Sequence, residues 1–303
     1  MEIRVLSNNK EEGKLSFIIK DATPALANTL RRIMVEEVPT MAIEEVEFRK
    51  NNSILYDEII AHRLGLIPLK TDLKSYNLPE KCKCKGEGCA RCQLKLTLKA
   101  SKGSGIVYAS ELKSKDPAVK PVYPKMPIVK LLKGQSLELE ATAVLGKGKE
   151  HAKWCPCLAY YKHKPIIEIG NVKNPEEVVE KTHGNIFEIK NGKLEVIKDN
   201  LFKYDLAGVV EEVSKGEVKV KYDNDIIFYI ESWGQLSCKE ILNQALKTFD
   251  ENIGMVLNLP APSLQVPELL LPVSNPVARD IDCAEAVEEE LAVLVNVVRH
   301  VEK

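Results

Sequence analysis

Asp21-Ala-Thr-Pro-Ala-Leu-Ala-Asn-Thr-Leu-Arg-Arg32 is the stretch on which the fold turns. Thr23 is a residue type whose hydroxyl accepts from the first turn of a helix, and Pro24 stands where a missing N–H costs nothing. Leu26, Leu30, Ile33 and Met34 follow at helical spacing and make one apolar stripe. Val38-Pro39 stops the helix, because the residue before proline avoids the helical region. Upstream, Leu15, Phe17 and Ile19 alternate with polar residues, which predicts a half-buried strand paired about Glu12-Gly13. Downstream, the pattern predicts a second helix from about Ser53 to Leu64, with Gly65 as a left-handed cap and Pro68 beyond it.

Further along, residues 71–168 read as mostly short strands, among them the alternating run Leu137, Leu139, Ala141, Ala143. Asn191-Gly192 between two alternating runs, 186–190 and 193–197, predicts a hairpin, because both turn residues need positive φ. Ile226 to Ile230 reads as a strand. Ser237 with Glu240 then forms a capping box for a helix carrying Leu242, Leu246, Phe249, Ile253, Val256 and Leu257 on one face. Five prolines in 260–276 forbid continuous regular structure there. A last helix is predicted from Asp282 to His300, with Val287, Leu291, Leu294, Val298 and Val301 near one stripe.

The chain has 303 residues, 45% of them hydrophobic, with 43 basic and 44 acidic side chains and a net charge of −1. That balance fits an ordinary globular core and argues against a surface that grips nucleic acid throughout, so contact with DNA is expected to be indirect. No apolar run approaches the roughly 18 residues of a membrane span, and the N-terminus lacks a signal core, so a cytoplasmic protein is expected. In that compartment the eight cysteines stay reduced or bind metal.

Three segments carry a family resemblance: the opening stretch 21–32, Glu-Val-Pro-Thr-Met-Ala-Ile at 37–43, and Leu-Tyr-Asp-Glu-Ile-Ile-Ala-His-Arg-Leu-Gly-Leu-Ile-Pro-Leu at 55–69. They closely resemble the archaeal D-type members of the RNA polymerase alpha family, and more loosely the eukaryotic third-subunit counterparts and the bacterial alpha N-terminal domain. Tyr229-Ile-Glu-Ser-Trp-Gly234 and His151-Ala-Lys-Trp154 resemble later parts of the same family, and the likeness covers about residues 1–257. It implies an α+β fold in four parts. These are an alpha-like dimerisation domain (1–45 with 222–257), an inserted mostly-β domain (46–168, loop 81–93 included), a ferredoxin-like α+β insert (169–221), and a proline-rich linker with a C-terminal helix (258–303). It also implies a partner, the small subunit L, then recruitment of subunits N and P and of the two large catalytic subunits. Leu26, Leu30, Ile33 and Met34, with Leu242, Leu246, Phe249 and Ile253, would then form the dimer interface. Read from composition alone, the same stripes are this chain's own core. The Arg31-Arg32 and His62-Arg63 pairs read as solvent or subunit contacts, and no catalytic residue is identified.

Cys82, Cys84, Cys89 and Cys92 form a C-x-C-x4-C-x2-C loop among Lys81, Lys83, Lys85 and Arg91. Two thiolate pairs about a glycine-rich turn can converge on one tetrahedral ion, and zinc favours such a closed set in structural sites. The flanking cations offset the charge of a tetrathiolate. Four unrelated reduced thiols, or an iron–sulfur cluster, are the alternatives. Eukaryotic members of the family carry a similar zinc loop.

Many archaeal members of the family carry a ferredoxin-like insert, and bacterial ferredoxins hold their clusters with cysteines spaced C-x2-C-x2-C-x3-C, twice. Counted outward from the 187–196 hairpin, those positions fall here at Val172, Pro175, Val178 and Thr182, and at Lys203, Leu206, Val209 and Val213. None is cysteine, so the unit is expected to keep its fold, fill the space with apolar side chains and hold no iron–sulfur cluster. Cys155 and Cys157 read as packing residues. The leading expectation is thus a non-catalytic assembly subunit of DNA-directed RNA polymerase. A ferredoxin-like redox protein and a zinc-ribbon nucleic-acid-binding regulator are the rivals.

Overall fold

The computed structural model describes residues 2–101, 105–182, 184–197, 200 and 207–257. The expected 258–303 linker and helix lie outside them. In chain order the elements are β1 (Ile3–Asn9), β2 (Lys14–Ile19), α1 (Pro24–Glu36), β3 (Thr40–Asn51), α2 (Asp57–Gly65), β4 (Gln93–Ser101), β5 (Gly105–Tyr108), β6 (Lys113–Ser114), β7 (Pro127–Leu131), β8 (Ser136–Gly146), β9 (Cys157–Ile169), α3 (Pro175–Lys181), β10 (Phe187–Lys190), β11 (Lys193–Val196), α4 (Ala207–Val213), β12 (Val218–Ser232) and α5 (Cys238–Leu257). The class is α+β, as the family resemblance implies.

Local chemistry sets the element ends. Thr23 Oγ1 accepts from the N–H of Leu26 at 3.2 Å and opens α1. The Ser237–Glu240 box opens α5: Ser237 N–H donates to Glu240 Oε2 at 2.9 Å, and Glu240 N–H to Ser237 Oγ at 3.3 Å. Asn191 (φ 52) and Gly192 (φ 74) make the tight turn between β10 and β11. The second helix differs from expectation. It starts at Asp57, because Asn51, Ser53 and Leu55 tie residues 51–57 into a side-chain-bonded turn. Gly65 is not left-handed. It ends the helix, and a Cβ there would make only ordinary contact with the Ile43 carbonyl at 3.4 Å, so nothing in the structure explains the glycine. The 226–230 strand is the end of the longer β12, whose 218–221 part alternates buried and exposed residues.

Two compact units result. The first joins Met1–Ser7, Ser16–Asn28 and Tyr160–Tyr229. Its sheet has the order β1-β2-β12-β9, with Phe17 stacked on Phe228 at 5.5 Å. Within it β9-α3-β10-β11-α4-β12 follow as β-α-β-β-α-β, around a small core of Val178, Ile186, Phe187, Leu194, Val210 and Val218.

The second unit joins Asn8–Leu15, Thr29–Ala159 and the chain from Ile230. Its main sheet, β3-β8-β4-β6, presents Leu94, Leu96, Leu98, Leu137, Leu139, Ala141 and Ala143 to one core. Ile60 and Leu64 of α2, and Val107, Val129 and Leu131 of the β5-β7 ribbon, pack into the same core. Trp154 is the keystone at the end of β8. Its indole N–H donates to the Val144 carbonyl at 3.3 Å, and its ring lies where a Cβ on Gly146 would come within 2.3 Å. Lys153 covers the ring at 4.4 Å, and the Trp154 carbonyl accepts from buried Thr40 at 2.7 Å. Trp154→Ala is therefore expected to cost about 3–5 kcal/mol, read as a lowered denaturation midpoint.

Candidate functional site

Cys82 follows a 3-10 turn at Pro79–Lys81, and Cys92 ends where β4 begins. Between them the chain doubles back through Lys85 (φ 52), Gly86 (φ 89) and Gly88 (φ 93), conformations that glycine adopts freely. At Gly88 a Cβ would fall 2.6 Å from the flexible end of the Gln93 side chain, which can swing aside, so the positive φ is what calls for glycine there. The turn brings four sulfurs together, all within 4.8 Å of one another. Cys82 and Cys89 are 3.5 Å apart, Cys84 and Cys92 3.4 Å, and Cys89 and Cys92 3.8 Å. A tetrahedral ion with metal–sulfur bonds of about 2.3 Å needs sulfurs roughly 3.8 Å apart, so the site is of the right size.

The electrostatics divide the four thiols: burial pushes Cys92 up to about 12, and Cys84 goes the other way. Hydrogen bonds from the Cys92 and Cys82 thiols, helped by the Gly88 and Gly86 N–H groups, hold Cys84 down to about 6. The Cys89 N–H also donates to Cys92 Sγ at 3.1 Å. Cys82 and Cys92 are buried and Cys84 and Cys89 half-buried, as a structural site enclosed by its own loop requires. Among the described residues no other cluster of three or more such ligands gathers. Cys155 donates to the Cys157 carbonyl at 3.1 Å, and Cys157 is buried, which pushes its thiol up.

The apolar stripes divide into two parts. Leu26, Leu30, Ile33, Met34, Leu242 and Leu246 are already buried in the chain itself. Phe249 and Ile253 are half-buried, and Met255, 61% exposed, continues α5 outward. An apolar surface about α2 escapes the sequence pattern. Ile54 and Tyr56 are 78% and 76% exposed, and Ile59 and Leu66 are also exposed. Adjacent Ile59 and Ile60 are the signal that could have found it, since neighbouring residues on a helix cannot share one narrow buried stripe. Exposed Arg63 donates to the Pro127 carbonyl at 2.8 Å. At the counted cluster positions Val178 and Thr182 are buried, and Val172 and Val213 pack on the same core. Pro175 opens α3. Lys203, Leu206 and the Val209 side chain lie outside the described residues.

Residues 45–155 match the RNA polymerase Rpb3/RpoA insert domain. The DNA-directed RNA polymerase subunit Rpo3 of Methanosphaera stadtmanae is 39% identical over 258 residues, covering 82% of this chain and 95% of that protein. The chain belongs to the Rpo3 family. The Rpo3 proteins of Pyrococcus horikoshii and Archaeoglobus fulgidus are 39% and 38% identical, with 97% and 92% of their lengths covered. The α2 surface and the cysteine loop of this Rpo3-family chain both lie within the insert-domain match. No helix among the described residues is long and apolar enough to cross a membrane.

Proposed function

We propose that this chain is an assembly subunit of DNA-directed RNA polymerase that pairs with the small subunit L, and that the pair then gathers subunits N and P and the large catalytic subunits. The observation that carries this reading is the near-complete coverage of Rpo3 relatives, 95% and 97% of their lengths. In this reading residues 1–45 with 222–257 form the dimerisation domain, 46–168 the inserted domain and 169–221 the insert without clusters. The core-facing stripes of α1 and α5 set the shape of the pairing surface, and Phe249, Ile253 and Met255 supply its apolar contacts. Ile54, Tyr56, Ile59 and Leu66 form a second docking face for a large subunit. This division of labour needs no catalytic group in the chain and leaves nucleic acid to the assembled enzyme.

In the same reading the four-cysteine loop holds one zinc ion. Four thiolates close the coordination shell and leave no position for water, so the ion cross-links the loop instead of activating a substrate. Lys81, Lys83, Lys85 and Arg91 lie beside the negative centre in sequence.

Copurification tests the assembly reading. Tagged chain should retain a partner of about 10 kDa in a stable complex and should bring down polymerase activity. Recovery of the chain alone, monodisperse and without polymerase subunits, would overturn it.

A further inference from the structure

The β5-β7 ribbon turns one face to the core, where Val107 and Val129 oppose each other and are buried. Its outer face carries Tyr108, Ile106 and, just past the strand, Leu132, which are 37%, 38% and 52% exposed. In register Tyr108 opposes Pro127, Ile106 opposes Lys130 and Gly105 opposes Leu131, so the three apolar groups follow one another along the ribbon. At about 3.4 Å per residue they make a row roughly 14 Å long. Lysines border the row. Lys130 stands at its middle, across from Ile106. Lys125 lies at the Tyr108 end, where the Ala109 N–H donates to the Met126 carbonyl at 2.9 Å, and Lys133 follows Leu132 at the other end. All three are exposed, and none is in an ion pair among the described residues.

Charge sets this part of the chain apart. Residues 105–133 hold six lysines and two acids, a surplus of four positive charges in a chain whose net charge is −1. Both acids are taken up within the chain. Glu111 accepts from the Tyr108 N–H at 3.1 Å, and Asp116 accepts from the Tyr76 hydroxyl at 2.8 Å and from the Ala118 N–H at 2.9 Å. An exposed apolar row beside unneutralised cations calls for a partner that is apolar on one face and acidic beside it.

We propose that the outer face of the β5-β7 ribbon is a docking site for an acidic amphipathic helix of a second protein. About two and a half helical turns cover 14 Å, so apolar side chains at i, i+4 and i+7 of that helix meet Tyr108, Ile106 and Leu132. Its acidic side chains then lie along β7, against Lys125, Lys130 and Lys133. Nucleic acid is the poorer fit. Ile106 and Leu132 offer nothing to a phosphate backbone, and 105–133 contains no arginine, the side chain best shaped for phosphate. A second copy of this chain fits worse still, because a two-fold contact through this face would set lysine against lysine. The site goes beyond the assembly reading and does not rest on it.

The test uses the full chain in the complex with which it purifies. The probe is a labelled helical peptide of about 15 residues, with leucine at i, i+4 and i+7 and glutamate at the positions beside that stripe. Fluorescence anisotropy should show saturable binding. Lys125→Glu, Lys130→Glu and Lys133→Glu together should weaken it at least about tenfold, the scale of three exposed ion pairs. A peptide with lysine in place of glutamate should bind that variant and not the wild type. Ile106→Ser with Leu132→Ser keeps every charge and should also weaken binding about tenfold, through lost apolar burial. Charge reversal of Lys74, Lys193 and Lys219, exposed lysines elsewhere, should leave the affinity unchanged. The proposal is overturned by absence of saturable binding, by equal loss in the two reversed variants, or by full affinity in the serine variant. It is also overturned if a single-stranded oligonucleotide displaces the peptide more readily than unlabelled peptide does. Copurification of polymerase subunits is a separate readout, so either reading can fail while the other stands.

Discussion

Serine at Cys82 and Cys92 together should abolish metal binding and open the loop between them. Purified protein is expected to carry about one zinc per chain, and the double variant none. Cys82 and Cys92 are the two buried thiols of the four, so the remaining pair could not enclose an ion away from water. Structural zinc sites contribute on the order of 10 kcal/mol to the folding of the segment that they close. Here that segment is short, while β4 continues from Gln93 in a nine-position pairing with β8. The sheet should therefore survive, with damage confined to the loop and the first positions of β4. Limited proteolysis should cut new sites between 82 and 92 in the variant and in chelator-treated wild type, and added zinc should protect only the wild type. Native protein without metal, with all four thiols freely titratable, would end the zinc reading.

How much of this is legible in the sequence follows from where each signal resides. The capping box at Ser237 and Glu240, the Thr23 cap and the Asn191-Gly192 turn are local, with both partners within a few residues, and the structure reproduces them. The cysteine loop is legible for the same reason: a short segment with two glycines has few ways to separate its thiols. The start of α2 is not, because Ser53 resembles a cap but is engaged by Asn51 and Leu55. Gly65 looks like a conformational glycine, yet its φ is not positive, because the helix simply ends there without a left-handed cap. The exposed α2 surface is hidden for a related reason, since apolar residues in sequence do not declare which face the core takes. The resemblance adds what periodicity cannot, the proposal that two stripes more than 200 residues apart serve one functional surface.

Aspartate at both Phe249 and Ile253 should separate this chain from the small subunit of the proposed pair while leaving its own fold intact. The stripe on α5 starts in the core at Leu242 and Leu246 and emerges at these two half-buried residues. Full burial of an aliphatic or aromatic side chain contributes about 1.5–3 kcal/mol, and roughly half of that is still unrealised in the free chain at each position. Carboxylates there would also have to be desolvated on pairing. The sum is about 3 kcal/mol or more, which raises the Kd by over a hundredfold. Leu246→Ala provides the contrast. It removes a buried side chain, so it should lower the chain's own stability by about 2–5 kcal/mol and weaken pairing only as far as α5 loosens. Isothermal titration against the isolated partner, with circular dichroism of each variant, separates the two effects. Unchanged affinity in a well-folded Phe249→Asp, Ile253→Asp variant would remove α5 from the interface and with it the proposed pairing geometry.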